Sequence, residues 1–206
     1  PTDIPHSKVR IIPNGINLDR FRPLDRDSCR RHFGWDSSTL NVLFPANTRD
    51  PRKRPELAQA AAAAAVRMGV KVEIHHLRGV PHQEVPLWIN ASDAVLLTSL
   101  HEGSPNLIKE ALACNVPVVS VDVGDVGERI RGIDGCFIAD ADPNDIANKL
   151  RLVACSPRRV DGRNHVRDLS LQHVALQLKQ FYENILQKDD TKKLSYSARI
   201  RSFKSR

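Results

Sequence analysis

Short apolar runs alternate with longer amphipathic stretches from Asn41 to Ala154, and this alternation predicts the elements. Asn41–Phe44 (NVLF) and Ala94–Thr98 (AVLLT) are continuous runs of the kind found in strands covered on both faces. Lys71–Leu77 (KVEIHHL) begins with period-two alternation, and Val116–Val121 (VPVVSV) and Cys136–Ile138 complete the strand candidates. Between them, Pro55–Met68 reads as a helix, with proline at its first position, an alanine run inside and Gly69 as its stop. Shorter helices are expected over Ser28–Phe33, Glu84–Ala91, Pro105–Cys114 and Glu128–Arg131. Another is expected from Asp142-Pro143 through Ala154, with Asp142 as its cap. A last long helix, His165–Leu186, carries Val166, Leu169, Leu171, Val174, Leu176, Leu178, Phe181 and Ile185, most of them expected to face the core.

Strands separated by helices predict an α/β fold, a Rossmann-like parallel sheet with helices on both faces. Right-handed crossovers place the strand-to-helix loops along one edge of such a sheet, where ligands bind. Ahead of this pattern, Lys8–Pro23 (KVRIIPNGINLDRFRP) joins a short apolar run to a Pro13-Asn14-Gly15 turn. The expected organisation is an interdomain segment over 1–24, a main domain over 25–187 and a basic tail over 188–206. The chain opens on Pro1 and is expected to be part of a longer protein.

Charge narrows the partners. The net charge is +7, with much of the excess in Arg49–Arg54 and Lys188–Arg206. Such a surplus suits nucleic acid, an anionic membrane surface or phosphorylated ligands. Aromatic residues are only 5 % of the chain and none interleaves with the Arg49–Arg54 cations, which argues against a nucleic-acid binder. The basic surface leaves room for a peripheral membrane contact, but no apolar stretch is long enough to span a bilayer. Cys29, Cys114, Cys136 and Cys155 lack CxxC spacing; Cys114 and Cys136 read as small buried hydrophobes, and the expected compartment is reducing cytoplasm.

The chemistry concentrates in Thr98–Pro117 (TSLHEGSPNLIKEALACNVP). A strand ends, Glu102 and Gly103 follow, and Ser104-Pro105 opens a helix, with Ser104 as the expected cap and Pro105 at the first helical position. Free amides of the first turn, through Asn106 and Leu107, then point outward with the positive end of the helix dipole behind them. That is a seat for a diphosphate. Gly103 lets backbone approach a ligand without a Cβ in the way. Glu110 lies about 8 Å along the helix axis, roughly where the ribose of a nucleotide seated on the helix end would fall, and an ionised carboxylate accepts from two vicinal hydroxyls. Glu102 would lie on the other side of the diphosphate. Glu110 beside Lys109 also fits an ordinary solvated helix face.

The spacing Glu102-x7-Glu110 within EGSPNLIKEALACNVPVVS resembles the signature of retaining GT-B glycosyltransferases. Asp122-Val123-Gly124-Asp125-Val126-Gly127-Glu128 is similar to the family's loop after the next strand. Ile12–Phe21 (IPNGINLDRF) is similar to the segment by which such chains enter their C-terminal domain. The resemblance covers about Val9 to Ala154 and implies that 25–187 is the sugar-nucleotide-binding half. It implies that Glu110 holds the ribose hydroxyls and that Glu102 contacts the transferred sugar as a catalytic residue. Backbone amides of Ser104 to Leu107 would meet the diphosphate, and Lys53 would neutralise it. It implies no cofactor beyond the nucleotide-diphosphate sugar, a donor site that works without a metal, and an acceptor bound by an N-terminal domain absent from this chain. In the family the C-terminal helix often crosses back towards that other domain.

Two departures stand out. Ala46-Asn47 occupies the place of the usual Gly-Arg pair, which leaves Asn47, Arg49, Arg52 and Arg54 as candidates around the phosphates. His75-His76-Leu77-Arg78-Gly79-Val80-Pro81 shortens a region where the family has an additional strand and helix, and the base-contacting position falls near Leu77–Val80. His75 and His76, adjacent on a strand, face opposite sides and do not share a metal. Other readings of the scaffold are a non-catalytic nucleotide- or partner-binding module and a sugar-nucleotide epimerase.

Overall fold

The computed structural model describes residues 9–45, 50–156 and 159–186. By their internal packing these residues fall into two units, one over 16–168 and the other formed by the two ends, up to Gly15 and from Leu169.

The larger unit has the predicted α/β fold. In chain order it runs α1 (Arg26–Phe33), β1 (Leu40–Pro45), a 3-10 turn (Pro51–Lys53), α2 (Pro55–Arg67), β2 (Val72–Leu77), α3 (Val85–Ala91) and β3 (Ala94–Leu97). It continues with α4 (Asn106–Ala113), β4 (Val118–Val121), α5 (Val126–Ile130), β5 (Phe137–Ala139), α6 (Pro143–Cys155), α7 (Gly162–His165) and a second 3-10 turn (Arg167–Leu169). All strands are parallel, in the order β2-β1-β3-β4-β5, with Val42 opposite Ala94 and Leu96 opposite Val119. β1, β3 and β4 are largely apolar, without alternation, because both their faces are covered. Val42, Leu43, Phe44, Val95, Leu96, Val118 and Val119 are all fully buried.

Small residues set the helix spacing. α2 buries Ala58, Ala61, Ala64 and Ala65 along one face, and Ala64 and Ala65 pack on Ala147 of α6. Alanine also has the highest helix propensity, so one composition serves both local and tertiary structure. Asp142 caps α6 as expected, accepting from the amides of Asn144 and Asp145 at 2.9 and 3.0 Å. At the foot of the sheet the buried Asp93 accepts from the Asn41 amide at 2.8 Å and pairs with the buried Arg30. His75 and His76 face opposite sides, as expected. His75 stacks on Trp35 with ring centroids 3.5 Å apart, while His76 meets the edge of Phe44.

The C-terminal helical pattern departs from expectation. The continuous helix predicted over His165–Leu186 is broken: α7 ends at His165, the second 3-10 turn follows, and a separate helix, α8, covers 171–186. Val166 and Leu169 are buried, as predicted. On α8, however, Leu171, Leu176, Leu178, Tyr182, Ile185 and Leu186 are exposed and do not belong to a core, while Val174 and Phe181 are half-buried. In this smaller unit Gly15 lies against the start of α8, where an added Cβ would sit 3.1 Å from the Leu171 backbone. The expected basic tail, 188–206, lies outside the described residues. No helix among the described residues is long and apolar enough to cross a membrane.

Candidate functional site

In a parallel sheet of this order the chain leaves β1 in one direction, towards β2, and later returns to fill β3 on the other side. The loops after β1 and β3 therefore diverge and open a crevice at their shared edge. Lys53 comes from the loop after β1 and Glu102 from the loop after β3. Their side chains meet there in an ion pair, Nζ to Oε1, with the lysine side chain 28 % and the glutamate 15 % exposed. Two residues far apart in sequence and opposite in charge are thus brought together at the point where the fold provides a ligand cleft.

α4 begins beside this pair. It starts at Asn106, with Pro105 in the capping position and no side chain bonded to its first amides. Ser104 is therefore not the cap that its sequence position suggested, and Pro105 stands one place outside the helix. The hydroxyl of Ser104 turns instead to Asp125, donating to Oδ2 at 2.8 Å. The reason is tertiary: the Asp122–Asp125 loop after β4 lies against the Glu102–Ser104 loop. The Asp125 amide donates to the Gly103 carbonyl at 3.1 Å, and the serine spends its hydroxyl on that contact. The helix end is left without a side-chain cap, with the positive end of its dipole open to an anion. A Cβ added at Gly103 would meet nothing within 4 Å, so there is open space over this backbone.

Glu110 lies four residues into α4, roughly 6 Å along the axis from Asn106. It is not the solvated glutamate that its neighbour Lys109 suggested. Glu110 is half-buried, no hydrogen bond reaches its carboxylate among the described residues, and burial pushes its pKa up to about 7 against the pull of Lys109. Lys109 is itself only 1 % exposed. Burial lowers its pKa, and the nearby Asp125 carboxylate opposes that shift. Asp125 also accepts from Arg129 Nε at 3.1 Å. A charged network of Lys109, Asp125 and Arg129 thus underlies the Gly103–Ser104 loop. Sequence reading did not foresee their association; only the spacing Asp125-x3-Arg129, a helical ion pair, was there to be seen.

The two described arginines after β1, Arg52 and Arg54, are engaged within the protein. Arg52 forms a two-pronged contact with Asp50 at 3.0 and 2.8 Å. Arg54 donates to the backbone carbonyls of Thr98 and Ser99. Among the described residues of this loop, Lys53 is the cation paired with Glu102 at the crevice. Asn47 and Arg49, the other candidates for phosphate contact, lie outside the described residues. No cluster of three or more His, Cys, Asp or Glu side chains suited to a metal ion occurs among the described residues.

A parallel α/β domain with a lysine and an acid joined at its crevice, beside an uncapped helix start, defines a class of anion-receptive domains. The comparisons place it more closely. The chain belongs to the glycosyl transferases group 1 family, whose profile matches residues 48–155. It is 26 % identical to a D-inositol 3-phosphate glycosyltransferase of Rhodococcus erythropolis across 85 % of this chain and 48 % of that one. It is 29 % identical to the enzyme of the same name from Geodermatophilus obscurus across 71 % of this chain and 40 % of that one. The chain therefore spans about half the length of the curated relatives it matches. Among solved structures, it superposes on sucrose-phosphate synthase from Thermosynechococcus elongatus with a TM-score of 0.73 at 21 % identity, covering 87 % of this chain and 53 % of that one. It superposes on Anabaena HepE in complex with UDP-glucose with a TM-score of 0.67 at 17 % identity, covering 85 % and 57 %. The C-terminal domain of a group 1 glycosyl transferase from Francisella tularensis gives 0.59 at 16 % identity, covering 80 % of this chain and 98 % of that one.

Proposed function

We propose that this chain is the donor-binding half of a retaining glycosyltransferase that takes a sugar from a nucleotide-diphosphate sugar. The observation that carries this reading is the meeting of Lys53 and Glu102 at the crevice between β1 and β3, beside the uncapped start of α4. A diphosphate seated on that helix end receives the amides of Asn106 and Leu107 and the Lys53 ammonium. The ammonium then neutralises negative charge as the sugar–phosphate bond breaks, which lowers the barrier to departure. Glu102 faces the transferred sugar from the cleft. Glu110, one helical turn deeper, accepts from the two ribose hydroxyls, and its lack of another hydrogen-bond partner among the described residues supports that role. The acceptor attacks from the face the diphosphate leaves, so the anomeric configuration is retained. It is held by a separate N-terminal domain, and the exposed apolar face of α8 is suited to pack on that domain.

The HepE structures in complex with UDP and UDP-glucose make uridine nucleotides the first donors to try. Calorimetry with UDP, GDP and ADP tests the reading. One of them should bind, and Glu110→Ala should weaken it by about 10- to 100-fold, the loss of two charge-assisted hydrogen bonds. Equal affinity for the unsubstituted and Glu110→Ala proteins would remove Glu110 from the ribose.

A further inference from the structure

Arg54 follows the first 3-10 turn with φ 48° and ψ 58°, in the left-handed region. Among the described residues other than glycine, only Asn115 shares a positive φ. A side chain with a Cβ disfavours this backbone, so the surrounding structure must hold it there. Arg54 Nε donates to the Thr98 carbonyl at 2.5 Å, and Nη2 reaches the Ser99 carbonyl at 3.4 Å. The last paired residues of β1 and β3 are Leu43 and Val95, so these carbonyls lie beyond the end of that ladder. Thr98 and Ser99 are buried. The contact is reciprocated: Thr98 Oγ1 lies 2.6 Å from the Lys53 carbonyl and 3.0 Å from the Arg54 carbonyl, and its hydroxyl donates to them. On the other side, the Leu100 amide donates to the Arg52 carbonyl at 2.7 Å. The backbone of Lys53 is therefore tied to the β3 loop on both sides, two residues ahead of Glu102.

We propose that Arg54 is a positioning residue for Lys53. It continues the joining of β1 to β3 where their ladder stops, and so fixes the ammonium of Lys53 against the carboxylate of Glu102. This inference rests on the transferase reading of that pair. A guanidinium spans two successive carbonyls with a rigid fork, which a single ammonium does not reproduce.

The test uses the intact protein that carries this chain. Turnover is followed as nucleoside diphosphate released from UDP-glucose, GDP-mannose or ADP-glucose, whichever the unsubstituted protein consumes. Affinity for the same nucleoside diphosphate is measured by calorimetry, and Tm is recorded. Arg54→Gly removes the fork while suiting the left-handed backbone. It should lower kcat by about 10- to 100-fold, the cost of a small misplacement at the reacting centre, with KM and Kd within about threefold. Arg54→Lys should not restore kcat. Thr98→Val, which deletes the bonds from Oγ1 to the Lys53 and Arg54 carbonyls, should give a kcat-selective loss in the same direction, and it carries the test should Arg54→Gly not fold. In a Lys53→Met background, Arg54→Gly should change kcat by less than about twofold, because its effect passes through Lys53. Unchanged kcat in Arg54→Gly and Thr98→Val, or full additivity with Lys53→Met, overturns the inference. Unchanged turnover by Lys53→Met overturns the transferase reading of Lys53, and this inference with it. The two failures differ in whether Lys53→Met stays active.

Discussion

At the scale of single residues, Glu110 shows how burial holds a carboxyl protonated. Its carboxyl is held up near pH 7 by loss of water and has no bonded partner among the described residues. A group whose pKa is raised on folding contributes stability that is present below its unfolded value near 4.5 and lost as pH rises through about 7. Glu110→Gln cannot ionise, so it should gain on the unsubstituted protein in thermal stability as pH rises from about 5 to 8. Matched melting curves across that range check this, and a constant difference would show that Glu110 is not desolvated. In the proposed complex the ionised carboxylate accepts from the ribose. Binding below pH 7 must then displace a proton, so affinity for the nucleoside diphosphate should climb towards pH 7 and level off above it. The Glu110→Gln protein should lack that increment, which leaves the titration of the ligand's own phosphate as the remaining slope.

At the scale of elements, the loop after β4 supports the loop after β3. Gly124 has φ 59°, and a Cβ there would lie 2.3 Å from the Gly103 carbonyl oxygen. Alanine at this position meets both the backbone strain and the collision, and the two loops must separate to admit it. We expect Gly124→Ala to cost about 2–4 kcal/mol by denaturant unfolding. It should also weaken nucleoside diphosphate binding, because Gly103 and the start of α4 move with the loop. Gly162 is a second close approach: an added Cβ would come within 2.8 Å of the Leu112 backbone, so α7 depends on glycine to lie against α4.

At the scale of the whole molecule, the proposed donor-binding half should bind without transferring. The 206-residue chain alone is expected to bind nucleoside diphosphate weakly and to release none from the matching sugar nucleotide, while the intact protein does. A radiolabelled-donor assay on both distinguishes the cases, and transfer by the chain alone would show that no second domain is needed for the acceptor. The strands, the long helices α2 and α6 and the segment around Glu102 and Glu110 were legible in the sequence. Apolar runs, proline and glycine punctuation and the Asp142 cap act over a few residues and leave their mark locally. The exposure of α8 was not legible, because an apolar periodicity shows that a helix has a face but not what covers it. Ser104 was misread for a related reason: its local chemistry suits a cap, and a carboxylate 21 positions away takes its hydroxyl instead. The same holds for Arg54 bonding to Thr98 and for Lys109 buried near Asp125. Such assignments depend on which loops the sheet order brings together, and the chain states that order only once it is folded.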